Sequence, residues 1–274
     1  MEIKVNSKNS KDFIASLVNR ILKKDIEVWI KDQEIENRID WIDLDINQVI
    51  KNIQTKLKDY KHFDNYILLG MGGSSLSCLV YSKIFPNNNK LIVLDTINPD
   101  YIIKIEEKIK NKNNLFIVSS KSGTTIETDT LFKYFFKKYY KVNNFIFITD
   151  QRSPLDLYIR ENYKDLVVLN PNENIGGRYS AFTEFGLSPA YLIDIDINII
   201  PNVINKTKEN ILNLIDYELF ENLISKLDKN YFELVFDYLP NSNKEYLGYW
   251  LEQLIAESTG KNNKGCLLYT SPSP

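Results

Sequence analysis

Two loops of this sequence concentrate side chains that can bind a phosphate group. Residues 70–75 read Gly-Met-Gly-Gly-Ser-Ser, and glycines such as Gly73 let the backbone approach a ligand closely. Residues 119–125 read Ser-Ser-Lys-Ser-Gly-Thr-Thr, which supplies hydroxyl donors and a cation. A helix beginning after each loop would offer free N–H groups that favour an anion. Neither loop matches the dinucleotide fingerprint or the P-loop, so the pattern predicts a phosphate on a small molecule.

A candidate catalytic cation and a candidate catalytic carboxylate follow further along the chain. Residues 176–180 read Gly-Gly-Arg-Tyr-Ser, in which Arg178 offers a fixed charge and a planar fork of donors. Gln253 and Glu257 are four residues apart and would share one face of a helix. Glu257 would lie in the last helical turn, whose negative end disfavours an ionised carboxylate. This placement suits a general base, but most glutamates on helices are solvated surface charges, so spacing alone leaves the role open.

Short apolar runs separated by helical segments must position these residues. The runs are rich in Ile, Val, Leu and Phe, as is typical of strands buried on both faces of a parallel sheet. Asn98 and Ser153 each precede a proline and are predicted to cap helices between the runs. The alternation predicts the α/β class, with a doubly wound five-stranded parallel sheet that binds ligands at the carboxyl ends of its strands. The predicted strands are 66–69, 91–94, 115–118, 145–148 and 166–169.

The segments on either side of the sheet carry mainly helical periodicity. It occurs before the first strand and again between residues 201 and 229. A sixth strand is predicted at 231–238, and a helix after it, with Ser242 and Glu245 forming a capping box and Gly260 ending the helix. A strand followed by a helix after the first sheet predicts the start of a second α/β domain.

Composition and charge exclude several other classes of protein. The chain has 34 Lys and Arg against 36 Asp and Glu, for a net charge of −2, and no basic cluster suggests nucleic-acid binding. No apolar stretch approaches the roughly 20 residues that span a bilayer, and the amino terminus lacks the apolar segment of a signal peptide. Two cysteines cannot form a disulfide framework, which fits a reducing compartment. We expect a soluble cytoplasmic protein.

Four motifs, in this order and spacing, resemble the phosphoglucose isomerase family, whose sugar isomerase (SIS) domains bind phosphosugars. SKSGTT alone indicates only a SIS domain, whereas GGRYS with a later EQLIAESTGK is much more specific. The resemblance covers about residues 35–265 and implies a flavodoxin-like SIS sheet. The motifs are GMGGSS at 70–75, SSKSGTTIET at 119–128, GGRYSAFTEFGL at 176–187 and WLEQLIAESTGK at 250–261.

The resemblance also implies an activity and a set of site residues. The reaction would convert glucose 6-phosphate to fructose 6-phosphate through a cis-enediol, without metal or cofactor, in a homodimer. Arg178 would stabilise the anionic intermediate, Glu257 would carry the proton between C1 and C2, and Gln253 would line the sugar site. The phosphate would be held by Ser74, Ser120, Ser122 and Thr125, with Gly73, Lys121 and Thr124 close by.

Two departures from the family pattern concern the end of the chain. The family opens the sugar ring with a histidine that follows the glutamate and comes from the partner subunit, and it uses a lysine near its carboxyl terminus. Here His62 is the single histidine, and the sequence ends 17 residues after Glu257. We therefore expect a carboxyl-terminally truncated chain with little activity alone, and an artefactual tail at 266–274, which does not resemble the family's continuation.

These expectations combine into a domain organisation and a small set of alternatives. One alternative is a phosphosugar-binding SIS module without catalysis, which would have no use for Arg178 and Glu257. A second is an SIS isomerase of an amino sugar, and a third is the isomerase part of a transaldolase fusion. The predicted division is a helical segment at 1–62, a first SIS domain at 63–195, a helical linker at 196–229, the start of a second SIS domain at 230–265 and the tail.

Overall fold

The computed structural model of the protein describes residues 10–28, 37–85, 89–141, 143–215, 217–218 and 245–259. Several sequence predictions lie outside these residues. They are the sixth strand at 231–238, Ser242 of the capping box, Gly260 at the helix end and the tail at 266–274.

A five-stranded parallel sheet forms the centre of the fold, as predicted. Its strand order is β2-β1-β3-β4-β5, with every neighbouring pair parallel. β1 and β3 extend one residue beyond the predicted runs at both ends, whereas β5 begins one residue late. The strands are β1 (Asn65–Gly70), β2 (Leu91–Leu94), β3 (Asn114–Ser119), β4 (Phe145–Ile148) and β5 (Val167–Leu169).

Helices connect and flank the strands, and two of them begin at the predicted caps. The Asn98 side chain accepts hydrogen bonds from the N–H groups of residues 100 and 101, and the Ser153 side chain accepts one from residue 156. The helices are α1 (Ser10–Leu22), α2 (Ile46–Leu57), α3 (Leu76–Ile84), α4 (Pro99–Ile109), α5 (Ile126–Tyr139), α6 (Pro154–Asn162), α7 (Glu184–Leu192), α8 (Ile200–Leu214) and α9 (Glu245–Thr259).

Both faces of the sheet are covered by apolar side chains, because successive strand residues point to opposite faces. Tyr66 and Leu68 pack on the side of α2 and α7, while Ile67 and Leu69 pack against α4, α5 and α6. On α2 the apolar positions that repeat at helical spacing are buried, including the wholly buried Ile53. This double burial explains why the strand sequences are continuous apolar runs.

The strand order places the two hydroxyl-rich loops side by side. The chain adds β2 on one side of β1 and then β3, β4 and β5 on the other side, so the strand order reverses between β1 and β3. The crevice that suits a ligand therefore lies at the carboxyl ends of these two strands. Gly70, the last residue of β1, pairs in register with Ser119, the last residue of β3. Among the described helices, none is long and apolar enough to cross a membrane.

Candidate active site

A cavity of about 410 Å³ lies beyond the carboxyl ends of β1 and β3. Both predicted loops contribute to it, so two segments that are distant in the sequence share one pocket. Five predicted site residues line it, and four further residues were not predicted. The predicted ones are Gly73, Ser74, Lys121, Ser122 and Thr125, and the others are Arg38, Met71, Asp150 and Gly177.

Glycine is required where these loops turn and where they touch. Gly72 and Gly123 have φ angles of +55° and +67°, which residues with a side chain rarely adopt. Gly73 has a different reason, since a Cβ on it would lie 2.3 Å from the carbonyl oxygen of Gly177. The loop after β1 therefore packs directly on the turn formed by Gly177–Phe182.

Two residues of the predicted phosphate site, Ser120 as a ligand and Thr124 as a neighbour, are not part of the cavity lining. Ser120 is 3% exposed and does not line the cavity, and its hydroxyl has no hydrogen-bond partner within the described residues. The Thr124 hydroxyl makes a 2.8 Å hydrogen bond with the Ser122 hydroxyl, and Thr124 does not line the cavity either. Ser119 donates to the Ser74 carbonyl at 2.9 Å, so this neighbour of Ser120 ties the two loops together.

Lys121 is held in an ion pair at one wall of the cavity. Its ammonium lies 2.6 Å from a carboxylate oxygen of Asp150 and donates to the Glu173 carbonyl at 3.2 Å. Burial raises the pKa of the Asp150 carboxyl above its usual range, although the neighbouring ammonium opposes the rise. The other carboxylate oxygen of Asp150 is buried and has no partner in the part of the chain described.

The predicted catalytic residues form a second cluster at the carboxyl end of α9. An Arg178 nitrogen donates to the Glu257 carbonyl oxygen at 2.7 Å and lies 3.3 Å from its carboxylate. Gln253 donates to the other carboxylate oxygen at 3.1 Å, as their shared helix face predicts. A cation at this position complements the negative end of the helix. Arg178 thus contacts both the backbone and the side chain of the candidate base.

The two clusters adjoin through the Gly177–Phe182 turn. A Cβ on Gly72 would lie 3.0 Å from the Gln253 side-chain nitrogen, so α9 approaches the first loop closely. Ser180 donates to the Gly73 carbonyl at 3.0 Å. Tyr179 stacks on Trp41 with ring centroids 4.9 Å apart, and its hydroxyl is 3.3 Å from that of Ser258. Arg178 therefore lies between Gly177 and Tyr179, both of which make these close contacts, next to the hydroxyl-lined cavity.

Arg38 and Asp150 were missed by the sequence predictions. Arg38 reaches the cavity because Ile39 bridges Ile175 in the loop after β5, a contact between distant segments without a local pattern. Asp150 follows the carboxyl end of β4, and its position beside the ligand edge of the sheet could have suggested a role. No three His, Cys, Asp or Glu side chains among the described residues are grouped as a metal site requires.

Comparison with known sequences shows a clear similarity over most of the chain. The family model of phosphoglucose isomerase matches residues 19–205. A glucose-6-phosphate isomerase of Methanocaldococcus jannaschii is 31% identical over 219 residues, covering 77% of this chain and 54% of that protein. One from Clostridium tetani is 28% identical over 262 residues, covering 83% and 57%. The chain therefore spans about half the length of the curated relatives it matches.

Solved structures show the same fold. A hypothetical protein of Thermus thermophilus superposes with a TM-score of 0.71 at 20% identity, over 93% of this chain and 62% of that one. A glucose-6-phosphate isomerase of Chlamydia trachomatis gives a TM-score of 0.64 at 19% identity, over 96% and 59%. At these identities the likeness supports the fold, while the sequence matches carry the relationship.

Proposed function

Since this chain belongs to the phosphoglucose isomerase family, we propose that the full-length protein interconverts glucose 6-phosphate and fructose 6-phosphate through a cis-enediol. The observation that carries the proposal is that the Gly177–Phe182 turn both lines the hydroxyl-rich cavity, through Gly177, and carries Arg178, which pairs with Glu257. A phosphate bound in the cavity would leave the sugar extending towards that pair. The curated relatives described above are named glucose-6-phosphate isomerases.

The chemistry needs a base next to a carbonyl and a positive charge where the negative charge develops. We assign the base to Glu257, which would take a proton from C2 of the open-chain aldose and return it to C1. The electron pair of the broken C–H bond forms the C1–C2 double bond, and the carbonyl electrons move onto the C1 oxygen. The C1 oxygen would then take up a proton and the C2 hydroxyl would lose one, so that the C2 carbonyl forms as C1 is protonated. Arg178 would stabilise this oxyanion, and Gln253 would orient the Glu257 carboxylate.

The phosphate would be held by neutral donors and cations at the other end of the site. We assign Ser74, Ser122 and Thr125 to this role because their residues line the cavity. Ser120 and Thr124 would act behind the lining, by shaping the loop after β3. Lys121 would contribute an N–H group of its ammonium, which is also paired with the Asp150 carboxylate.

We also propose a homodimer and a cytoplasmic location for the full-length protein, and a reaction that needs no cofactor. The family membership supports these proposals, and the two cysteines fit a reducing compartment. A non-catalytic phosphosugar-binding module is less consistent with the site, because binding a phosphate gives no reason to place Glu257 beside Arg178.

An assay of the full-length protein tests the proposal. Purified protein is given fructose 6-phosphate in the presence of a chelator, and formation of glucose 6-phosphate is followed by a coupled dehydrogenase. We expect turnover in the range of ordinary enzymes, about 1–10³ per second. Binding of fructose 6-phosphate without its conversion would contradict an isomerase and favour the binding module.

A further inference from the structure

We propose that Arg38 binds the substrate phosphate and supplies the positive charge that the cavity otherwise lacks. The inference rests on the proposed function, because it specifies how that site holds its phosphosugar. It adds a phosphate-binding residue that lies outside the serine and threonine loops, on a segment that precedes the sheet.

The charge of Lys121 is already compensated. Its ammonium is paired with Asp150 at 2.6 Å and donates to the Glu173 carbonyl, so it is engaged on two sides by oxygen acceptors. Both partners of the pair are less than one-fifth exposed, which screens their attraction little. Lys121 and Asp150 together bring almost no net charge to the cavity.

A phosphate monoester carries a charge of about −1.5 to −2 at neutral pH. Ser74, Ser122 and Thr125 can donate hydrogen bonds to it but bring no charge. Arg38 is the remaining cation among the residues that line the cavity. Its positive charge would therefore decide the electrostatic preference of this site for a doubly charged anion over water or a neutral sugar.

The Arg38 guanidinium is positioned with donors to spare. One of its terminal nitrogens donates to the Glu173 carbonyl at 2.8 Å. The backbone beside it is fixed by the bridge between Ile39 and Ile175. Within the described part of the chain the guanidinium makes that one hydrogen bond, so most of its five N–H groups can reach a ligand.

Arginine suits this role because its planar fork can donate two parallel hydrogen bonds to one phosphate. The same Glu173 carbonyl accepts from Arg38 and from Lys121, so the loop after β5 holds both cations at one wall. The Glu173 side chain itself is exposed and does not line the cavity, although its charge and that of Arg38 both act on the pKa of Asp150, in opposite directions. Phosphate would thus bind between Arg38 and the hydroxyl groups of the two loops.

The test uses the full-length protein with Arg38→Gln and Arg38→Lys. Three quantities are measured: KM for fructose 6-phosphate, the inhibition constant of inorganic phosphate, and the rise in Tm that phosphate causes. For Arg38→Gln we expect KM and the inhibition constant to rise together, about 10- to 100-fold, as for loss of a charged hydrogen bond, with kcat within about threefold. Arg38→Lys should recover part of the loss, since it keeps the charge without the fork.

Arg20→Gln is the matched control, because Arg20 pairs with Asp25 outside the cavity lining. It should leave all three quantities unchanged. If Arg38→Gln keeps both constants within twofold of the parent protein, the proposal is overturned, although the isomerase assignment stands.

The phosphate-induced rise in Tm separates failure of this proposal from failure of the proposed function. If the parent protein does not isomerise fructose 6-phosphate, a Tm rise that is lost in Arg38→Gln and kept in Arg20→Gln still supports Arg38. An equal rise in the parent and Arg38→Gln, or none in either, overturns the inference whatever the activity.

Discussion

Glu184 shows how a single buried carboxylate can shape the stability of this fold. It begins α7 and is 4% exposed. Asn52 donates to one carboxylate oxygen at 2.7 Å, while the other has no partner among the described residues. Burial raises the pKa of the Glu184 carboxyl, and the Asn52 hydrogen bond only partly opposes this. The folded protein therefore holds a proton at Glu184 more tightly than the unfolded chain does.

The sign of the resulting pH dependence follows from linkage. Below the ordinary glutamate pKa of about 4.3 the group is protonated in both states and carries no ionisation penalty. As pH rises above that value, the Glu184 carboxyl ionises first in the unfolded chain, so the free energy of unfolding decreases. The decrease ends once pH exceeds the raised pKa of the folded state. We predict that Glu184→Gln gains stability relative to the parent protein as pH rises from about 4 to 7. Urea unfolding at several pH values measures this difference.

The control for this prediction is Glu209→Gln, at an exposed position on α8. It should change the free energy of unfolding by less than about 0.5 kcal/mol throughout the same range, as surface substitutions do. If the stability difference between Glu184→Gln and the parent stays constant with pH, burial does not raise the pKa of the Glu184 carboxyl.

At the scale of elements, the contact between two glycine turns joins the halves of the site. The loop after β1 touches the Gly177–Phe182 turn through Gly73, leaving no room for a methyl group. We predict that Gly73→Ala lowers the free energy of unfolding by about 1–3 kcal/mol or more, the usual cost of overpacking. It should also reduce kcat/KM, because the turn carries Arg178.

Gly177→Ala is the matched control on the opposite side of the same contact. A Cβ there would meet no atom within 4 Å, and the residue does not have a positive φ. Its free energy of unfolding should therefore fall by much less than that of Gly73→Ala, as measured by urea denaturation. Equal losses in the two variants would mean that backbone flexibility, rather than the close approach, determines stability here.

Elements with a local pattern could be predicted from the sequence, and those held by distant contacts could not. The strands, the Asn98 and Ser153 caps and the neighbouring loops followed from apolar runs, proline positions and sheet topology. The family resemblance implied that Ser120 holds the phosphate, but the sequence could not predict that its side chain is buried, because the direction of a loop side chain depends on backbone turns. Arg38 was missed because its place depends on the bridge between Ile39 and Ile175.

At the scale of the whole molecule, the site depends on segments far apart in the chain. Arg38 lies before the sheet in the sequence, the two hydroxyl-rich loops follow the central strands β1 and β3, and Glu257 lies on α9. Trp41 and Ser258 both contact Tyr179, so the first and last of these segments converge on the turn that carries Arg178. Among these residues, we propose that Glu257 transfers the proton.

Substitution of Glu257 in the full-length protein tests that claim most directly. Glu257→Gln keeps the size of the side chain and can still accept from Gln253, but it cannot take up the proton. We predict that kcat falls by at least about 10²-fold and that KM stays within a few-fold. Glu252→Gln is the control, because Glu252 points about 140° away on a helix of 3.6 residues per turn, and it should retain most of the activity.

The measurement is incorporation of solvent deuterium into the sugar phosphate, recorded together with turnover. The parent protein and Glu252→Gln should both place deuterium on the carbon that receives the proton, and Glu257→Gln should lose turnover and exchange together. Parental turnover in Glu257→Gln, with deuterium entering the sugar at the parental rate, would contradict the assignment and leave Glu257 as a structural residue at the end of α9.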